Sequence, residues 1–231
     1  LINAAPEVQV EALPYIRTMF VCSIGMLTFF MFSGALRSAG DAKTPMRLGI
    51  FMTLLNIVLN VVLIRGLGPV PALGTRGAAV GTAIASGITG LIFLWLLFSD
   101  RLVIRFSRSM SFRPDWQIIR SLFRFGLPAG FQGIAMNLGG VLMLRFIGSL
   151  QYSAEAQAAY SVAYTELFSL ITWTSVGLMG ATAAVAGQNL GAGYPDRSAR
   201  ATYLASLMGL GVAGGIGLLF VTVPRSLLSV F

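Results

Sequence analysis

Few side chains in this 231-residue chain can do chemistry, because it has no histidine and one cysteine. Residues 34–46 read GALRSAGDAKTPM, placing Gly34, Arg37, Gly40, Asp41, Lys43, Thr44 and Pro45 within 13 positions. Asn56 and Asn60 are four apart, so a helix carries both on one face. Glu166 borders a 29-residue stretch without charge. Catalysis needs a convergent nucleophile, base or metal-ligand set, and these residues do not supply one. The lone Cys22 lies in an apolar run, as a small buried residue does. The chemistry on offer is hydrogen bonding and a single isolated acid, so an enzyme is not expected.

The elements that position these residues follow from composition. The chain is 56% hydrophobic and 10% charged, with a mean hydropathy of +0.81, against about 25% charged in soluble domains. Six stretches, 18–36, 48–64, 77–99, 125–144, 167–195 and 201–224, carry no charge at all. About 20 apolar residues cross a bilayer as a helix. The expectation is an all-α polytopic membrane protein with spans near 13–36, 46–65, 77–98, 125–147, 158–187 and 200–223. Continuously apolar runs such as Phe29-Phe30-Met31-Phe32 exclude the alternating pattern of a barrel.

Net charge is +8, yet eleven of the sixteen basic residues fall in alternate connections between spans. That is the positive-inside pattern. It places 37–47, 99–124 and 197–200 in the cytoplasm and argues against nucleic acid as partner. The long connection 99–124 divides the chain into 1–98, a basic linker, and 125–231. Trp116, Ile119, Leu122 and Phe123 recur in it at helical spacing, fitting a helix in the interface. Gly77/Gly81, Gly126/Gly130 and Gly211/Gly215 form close-packing G-x-x-x-G pairs. The chain starts without Met and stops without a polar tail, as a piece of a longer protein would. Its first three spans do not resemble its last three.

The 34–46 stretch reads as a cytoplasmic turn. Gly40-Asp41 breaks one helix, Thr44 caps the next, and Pro45 occupies its first position. Its spelling goes further. G-x-L-R-x-x-G-D-x-K-T-P-M, Asn56-Ile57-Val58-Leu59-Asn60, Phe125-Gly126-Leu127-Pro128 and Gly187-Gln188-Asn189-Leu190-Gly191-Ala192-Gly193 together resemble the multidrug and toxic compound extrusion (MATE) family. The resemblance covers nearly the whole chain.

The resemblance implies two lobes of six helices each, with this chain holding helices four to nine. It implies efflux of small organic cations or amphipathic drugs, coupled to H⁺ or Na⁺, with no cofactor, by a protein monomeric at full length in the cell membrane. A lipid-linked oligosaccharide flippase of the same superfamily is the alternative. It adds Thr82 to Asn56 and Asn60 as a polar network, although family members carry Asp where Asn60 stands. It marks Gln132 and Asn137 near a cation-site Glu that is absent here, and Pro128, Gln188, Gly191 and Gly193 as structural or gating positions. Glu166 is then either an interfacial residue or a displaced coupling carboxylate, and the Asn pair either a helix-to-helix bond or a site.

Overall fold

The computed structural model describes residues 6–67, 71–104, 106, 111 and 113–223, leaving aside the side chains at 6–11, 153–154 and 165–167. Among these it has helices and no strand. The helices are α1 (Pro6–Val21), α2 (Ser23–Ser38), α3 (Lys43–Arg65), α4 (Gly74–Phe98), α5 (Trp116–Gly148), α6 (Ser153–Tyr160), α7 (Phe168–Gly191) and α8 (Pro195–Thr222). A π-helical stretch, Ser161–Leu167, joins α6 to α7. Five of these segments are long and apolar enough to cross a membrane, or six when α1 and α2 count as one bent span.

Two spans differ from their sequence outline. The first is broken at Cys22, where α1 and α2 meet at 51°. Cys22 leaves the helical well (φ −96°, ψ 11°), and the Ser23 hydroxyl donates to the Phe20 carbonyl at 2.9 Å. A side-chain hydroxyl competing for a backbone carbonyl is a recognised cause of kinks. The fourth span begins nine residues early. Asp115 caps α5 by accepting from the N–H groups of Gln117 (2.8 Å) and Ile118 (3.3 Å). The interfacial helix and the span thus form one 33-residue helix, about 50 Å long. Pro128 lies inside it and not at its start.

Packing divides the chain into two compact units, one of residues 3–108 with 178–206 and one of residues 109–177 with those from 207 on. In the first, α4 packs along α1, α2 and α3. Its core is Phe29, Leu36, Phe93, Leu97 and Leu102, with Phe32, Leu48 and Met52 against it. Phe93 meets Phe29 edge-to-face at 5.9 Å, the geometry aromatic quadrupoles favour. This core occupies the end of the unit where α2 and α4 finish and α3 begins, beside the turn at 39–42.

The Gly77/Gly81 pair does what its spacing suggests. A Cβ at Gly77 would stand 2.6 Å from the Leu63 carbonyl oxygen, so α3 and α4 approach backbone to backbone. At Gly126, Gly130, Gly211 and Gly215 no atom of the described residues lies within 4 Å of such a Cβ. Gly77→Ala is therefore expected to destabilise the protein by about 1–3 kcal/mol, the usual cost of overpacking. Gly49→Ala, where the nearest atom is Phe29 Cζ at 3.5 Å, is expected to be neutral or to gain a few tenths of a kcal/mol. Thermal unfolding of both variants in detergent checks the contrast.

Candidate functional site

The asparagine pair on α3 forms a chain with α4. Asn60 Nδ2 donates to Asn56 Oδ1 at 3.1 Å, and Asn56 Nδ2 donates to Thr82 Oγ1 at 3.0 Å. Thr82 then donates to the Ala78 carbonyl at 3.0 Å, one turn back. All three side chains are half-buried. Asn60 Oδ1 is buried without a hydrogen-bond partner among the described residues, and it faces the place where a Cβ on Gly81 would stand. Gly77 lets the helices meet and Gly81 makes room for the amide. The packing motif and the polar chain are one construction.

Thr82 also lines a cavity of about 160 Å³ beside the Cys22 kink, with Met19, Phe20, Cys22, Ser23, Met26, Ala83 and Ser86. Its wall is apolar and flexible, with polar atoms at Thr82 and the serines. Methionine-rich walls adapt to ligands of varied shape.

The turn at 39–42 is built by caps at both helix ends. Gly40 adopts φ +97°, a conformation other residues rarely reach. Its N–H bonds to the Arg37 carbonyl at 3.0 Å, and the Asp41 N–H bonds to the Leu36 carbonyl at 2.9 Å, closing α2 in a Schellman motif. Asp41 then caps α3, its Oδ1 accepting the Thr44 N–H at 3.0 Å. The cap is Asp41, not Thr44, and helix α3 begins at Lys43. Pro45 is its third residue and is buried. Lacking an N–H, proline leaves nothing unpaired in a first turn whose amides have no helical partner. Arg37 in the last turn of α2 suits the negative end of that helix. Gly34 meets open space.

Two expected positions are not brought together. Asn137 donates to its own helix at the Gly133 carbonyl, 2.9 Å away, and Gln132 is exposed on the same helix. The backbone of Glu166 lies in the π-helical stretch, while its side chain lies outside the described residues. Sequence reasoning missed a likeness between two turns. The α7 end repeats the α2 end, with Gly193 at φ +80°, its N–H on the Leu190 carbonyl (3.1 Å), and the Tyr194 N–H on the Asn189 carbonyl (2.8 Å). The shared Ala-Gly at 39–40 and 192–193 was the available signal. Gly191 ends α7, and Gln188 reaches back to the first turn, donating from Nε2 to the Ser38 carbonyl at 2.9 Å.

Burial alone would push the Asp41 carboxyl up. The hydrogen bonds from Thr44 and the Lys43 N–H, with the Arg47 charge, outweigh this and hold it below the usual carboxylate range. A lowered folded value means the cap stabilises fully above the unfolded value of about 3.9 and is lost as pH falls through the lower folded one. The difference in melting temperature between the protein and Asp41→Asn is expected to be constant near pH 6 and to shrink below about pH 4. Asn56→Ala leaves the Asn60 amide without its acceptor and Thr82 without its donor. It is expected to cost about 1–2 kcal/mol, read by thermal unfolding against Asn137→Ala, which breaks only an exposed bond within one helix.

Comparison with known proteins bears on what these features serve. The sequence profile of the MatE family matches residues 1–62 and 128–231. The probable multidrug resistance protein YoeA of Bacillus subtilis is 28% identical over 219 residues, covering 94% of this chain and 47% of that protein. The probable multidrug resistance protein NorM of Thermotoga maritima is 25% identical over 235 residues, covering all of this chain and 50% of NorM. The chain thus spans about half the length of the curated relatives it matches. Its fold is that of a multidrug resistance MATE family transporter of the MOP superfamily solved in an outward-facing conformation, with a TM-score of 0.72 and 24% identity over 97% of this chain and 49% of that one. With a family match over both halves and a shared helical membrane fold, the chain belongs to the MatE family of membrane transporters.

Proposed function

We propose that the full-length protein exports cationic or amphipathic organic compounds across the cell membrane in exchange for H⁺ or Na⁺, by alternating access between two lobes. In this reading 1–98 belongs to the first lobe, 99–124 to the connection and 125–231 to the second. The observation that carries it is the cavity at the Cys22 kink, whose Met19, Phe20 and Met26 wall suits an apolar body and whose Thr82 end offers polar atoms. The names of the relatives, multidrug resistance proteins, favour drugs as cargo.

Exchange requires that ion and cargo bind differently in the two conformations. The Asn60–Asn56–Thr82 chain holds no titratable group, so it cannot carry a proton. Coupling is assigned to Glu166, because an acid in a membrane helix is costly to keep unless it is used or partnered. Eleven of the sixteen basic residues cluster at the cytoplasmic edge, leaving Arg17, Arg65, Arg76, Arg145 and Arg225 elsewhere. That arrangement favours cationic cargo over the lipid-linked phosphate of a flippase.

Efflux of a fluorescent cation such as ethidium from vesicles holding the full-length protein tests this, under an imposed pH or Na⁺ gradient. The parent protein is expected to respond to one of the two gradients. Glu166→Gln is expected to lose more than about tenfold of the gradient-driven rate, a rise of about 1.4 kcal/mol or more in the barrier, while remaining folded in the membrane. Full coupled efflux by that variant removes Glu166 from the mechanism.

A further inference from the structure

The Gln188 side chain joins the two turns, and the geometry gives it a job. A helix ends with carbonyls that need partners from elsewhere. The Gly40 turn serves the carbonyls of Leu36 and Arg37, and the Ala39 N–H serves Ala35. Gln188 serves Ser38 from 150 residues away in sequence. A Cβ at position 40 would stand 3.2 Å from Gln188 Nε2, closer than such contacts usually come. Glycine at 40 therefore meets two needs at once, the positive φ and the room for the amide. Gln188 is anchored on its own side as well, since its carbonyl accepts the Ala192 N–H at 3.0 Å at the start of the second turn. The bond between the turns is exposed, so water can replace it at small cost.

We propose that the Gln188–Ser38 hydrogen bond is a reversible cytoplasmic latch, which holds the 39–42 turn to the end of α7 in one state of the transport cycle and releases it in another. This rests on the transporter reading above. It gives both sequence motifs one shared purpose. The turn at 34–46 presents the Ser38 carbonyl and, at Gly40, the room that the amide needs, and the 187–193 motif supplies the amide and a capped helix end to carry it. A single neutral hydrogen bond sets a population ratio of about fivefold, enough to bias a conformational equilibrium without locking it.

The test is hydrogen–deuterium exchange on the full-length protein in vesicles, followed at peptides 34–46 and 185–194. Gln188→Ala is expected to speed exchange about fivefold at 34–46, where position 188 contributes no backbone. Gly40→Ala is expected to speed exchange at 185–194, the reciprocal effect that a local defect in either helix would not produce. Reversing the ion gradient on the parent protein is expected to change both peptides together. Ethidium efflux by Gln188→Ala at saturating dye is expected to change severalfold in rate. Unchanged exchange at 34–46 in Gln188→Ala overturns the latch. Faster exchange with an unaltered efflux rate makes the bond a static tie and overturns its part in the cycle. If the parent protein moves no dye, the efflux reading fails by itself, and linked exchange at both peptides on gradient reversal still supports the latch.

Discussion

Lipid offers a backbone no hydrogen-bond partner, so each helix in this chain must satisfy its own ends where it meets water. The turn between α2 and α3 shows how completely this can be done in four residues. Gly40 returns the chain so that two amides find carbonyls of α2, and Asp41 accepts from the first turn of α3. Pro45 removes an amide that would otherwise need a partner. The crowding of charge, glycine and proline that is odd in so apolar a sequence is the cost of reversing a membrane helix within so short a length. The α7–α8 turn solves the same problem with the same Ala-Gly step, followed after Tyr194 by Pro195 at the first position of α8.

The first unit is organised between that turn and the kink. Near the turn, Phe29, Leu36, Phe93 and Leu97 fill the space between helices and leave no accessible room. At the other end of the pair, where α3 finishes and α4 begins, Gly77 and Gly81 bring the two helices together, and the asparagine chain ties them with directional bonds. Between these two contacts, beside the Cys22 bend, a cavity opens against Thr82, Ala83 and Ser86 of α4. Packing is therefore close at both ends of the α3–α4 pair, with the cavity between them. The base holds the turn steady, which makes Ser38 a reliable acceptor for Gln188, and adaptability is confined to the cavity wall that carries Met19 and Met26.

Much of this was legible in the sequence, and the failures have physical causes. Charge-free runs revealed the spans because a charge in hydrocarbon is expensive whatever its tertiary setting. The i, i+4 asparagines and the 77/81 glycines were legible because helical periodicity alone places them on one face. The kink at Cys22 was not, because it depends on whether Ser23 bonds its own helix or points elsewhere, and composition does not decide that. The early start of α5 was missed because hydropathy sees the lipid boundary, whereas the helix obeys the cap at Asp115 and runs on past Pro128. The polar contact between the turns was invisible for a simpler reason. Nothing in either motif names its partner, and 150 residues separate them.

The asparagine at position 60 shapes what the first unit can do. Asn60 donates to Asn56, Asn56 donates to Thr82, and Thr82 returns the bond to the α4 backbone. Every member is neutral, so the chain has the same charge at any physiological pH, and its bonds keep one direction. A carboxylate at position 60 would accept where the amide donates. The Asn56 amide would then have to turn, presenting Nδ2 to position 60 and accepting from the Thr82 hydroxyl. With the amide in place, Asn60 Oδ1 is buried beside Gly81 without a hydrogen-bond partner among the described residues. Thus the polar chain inside the first unit keeps its charge while pH changes.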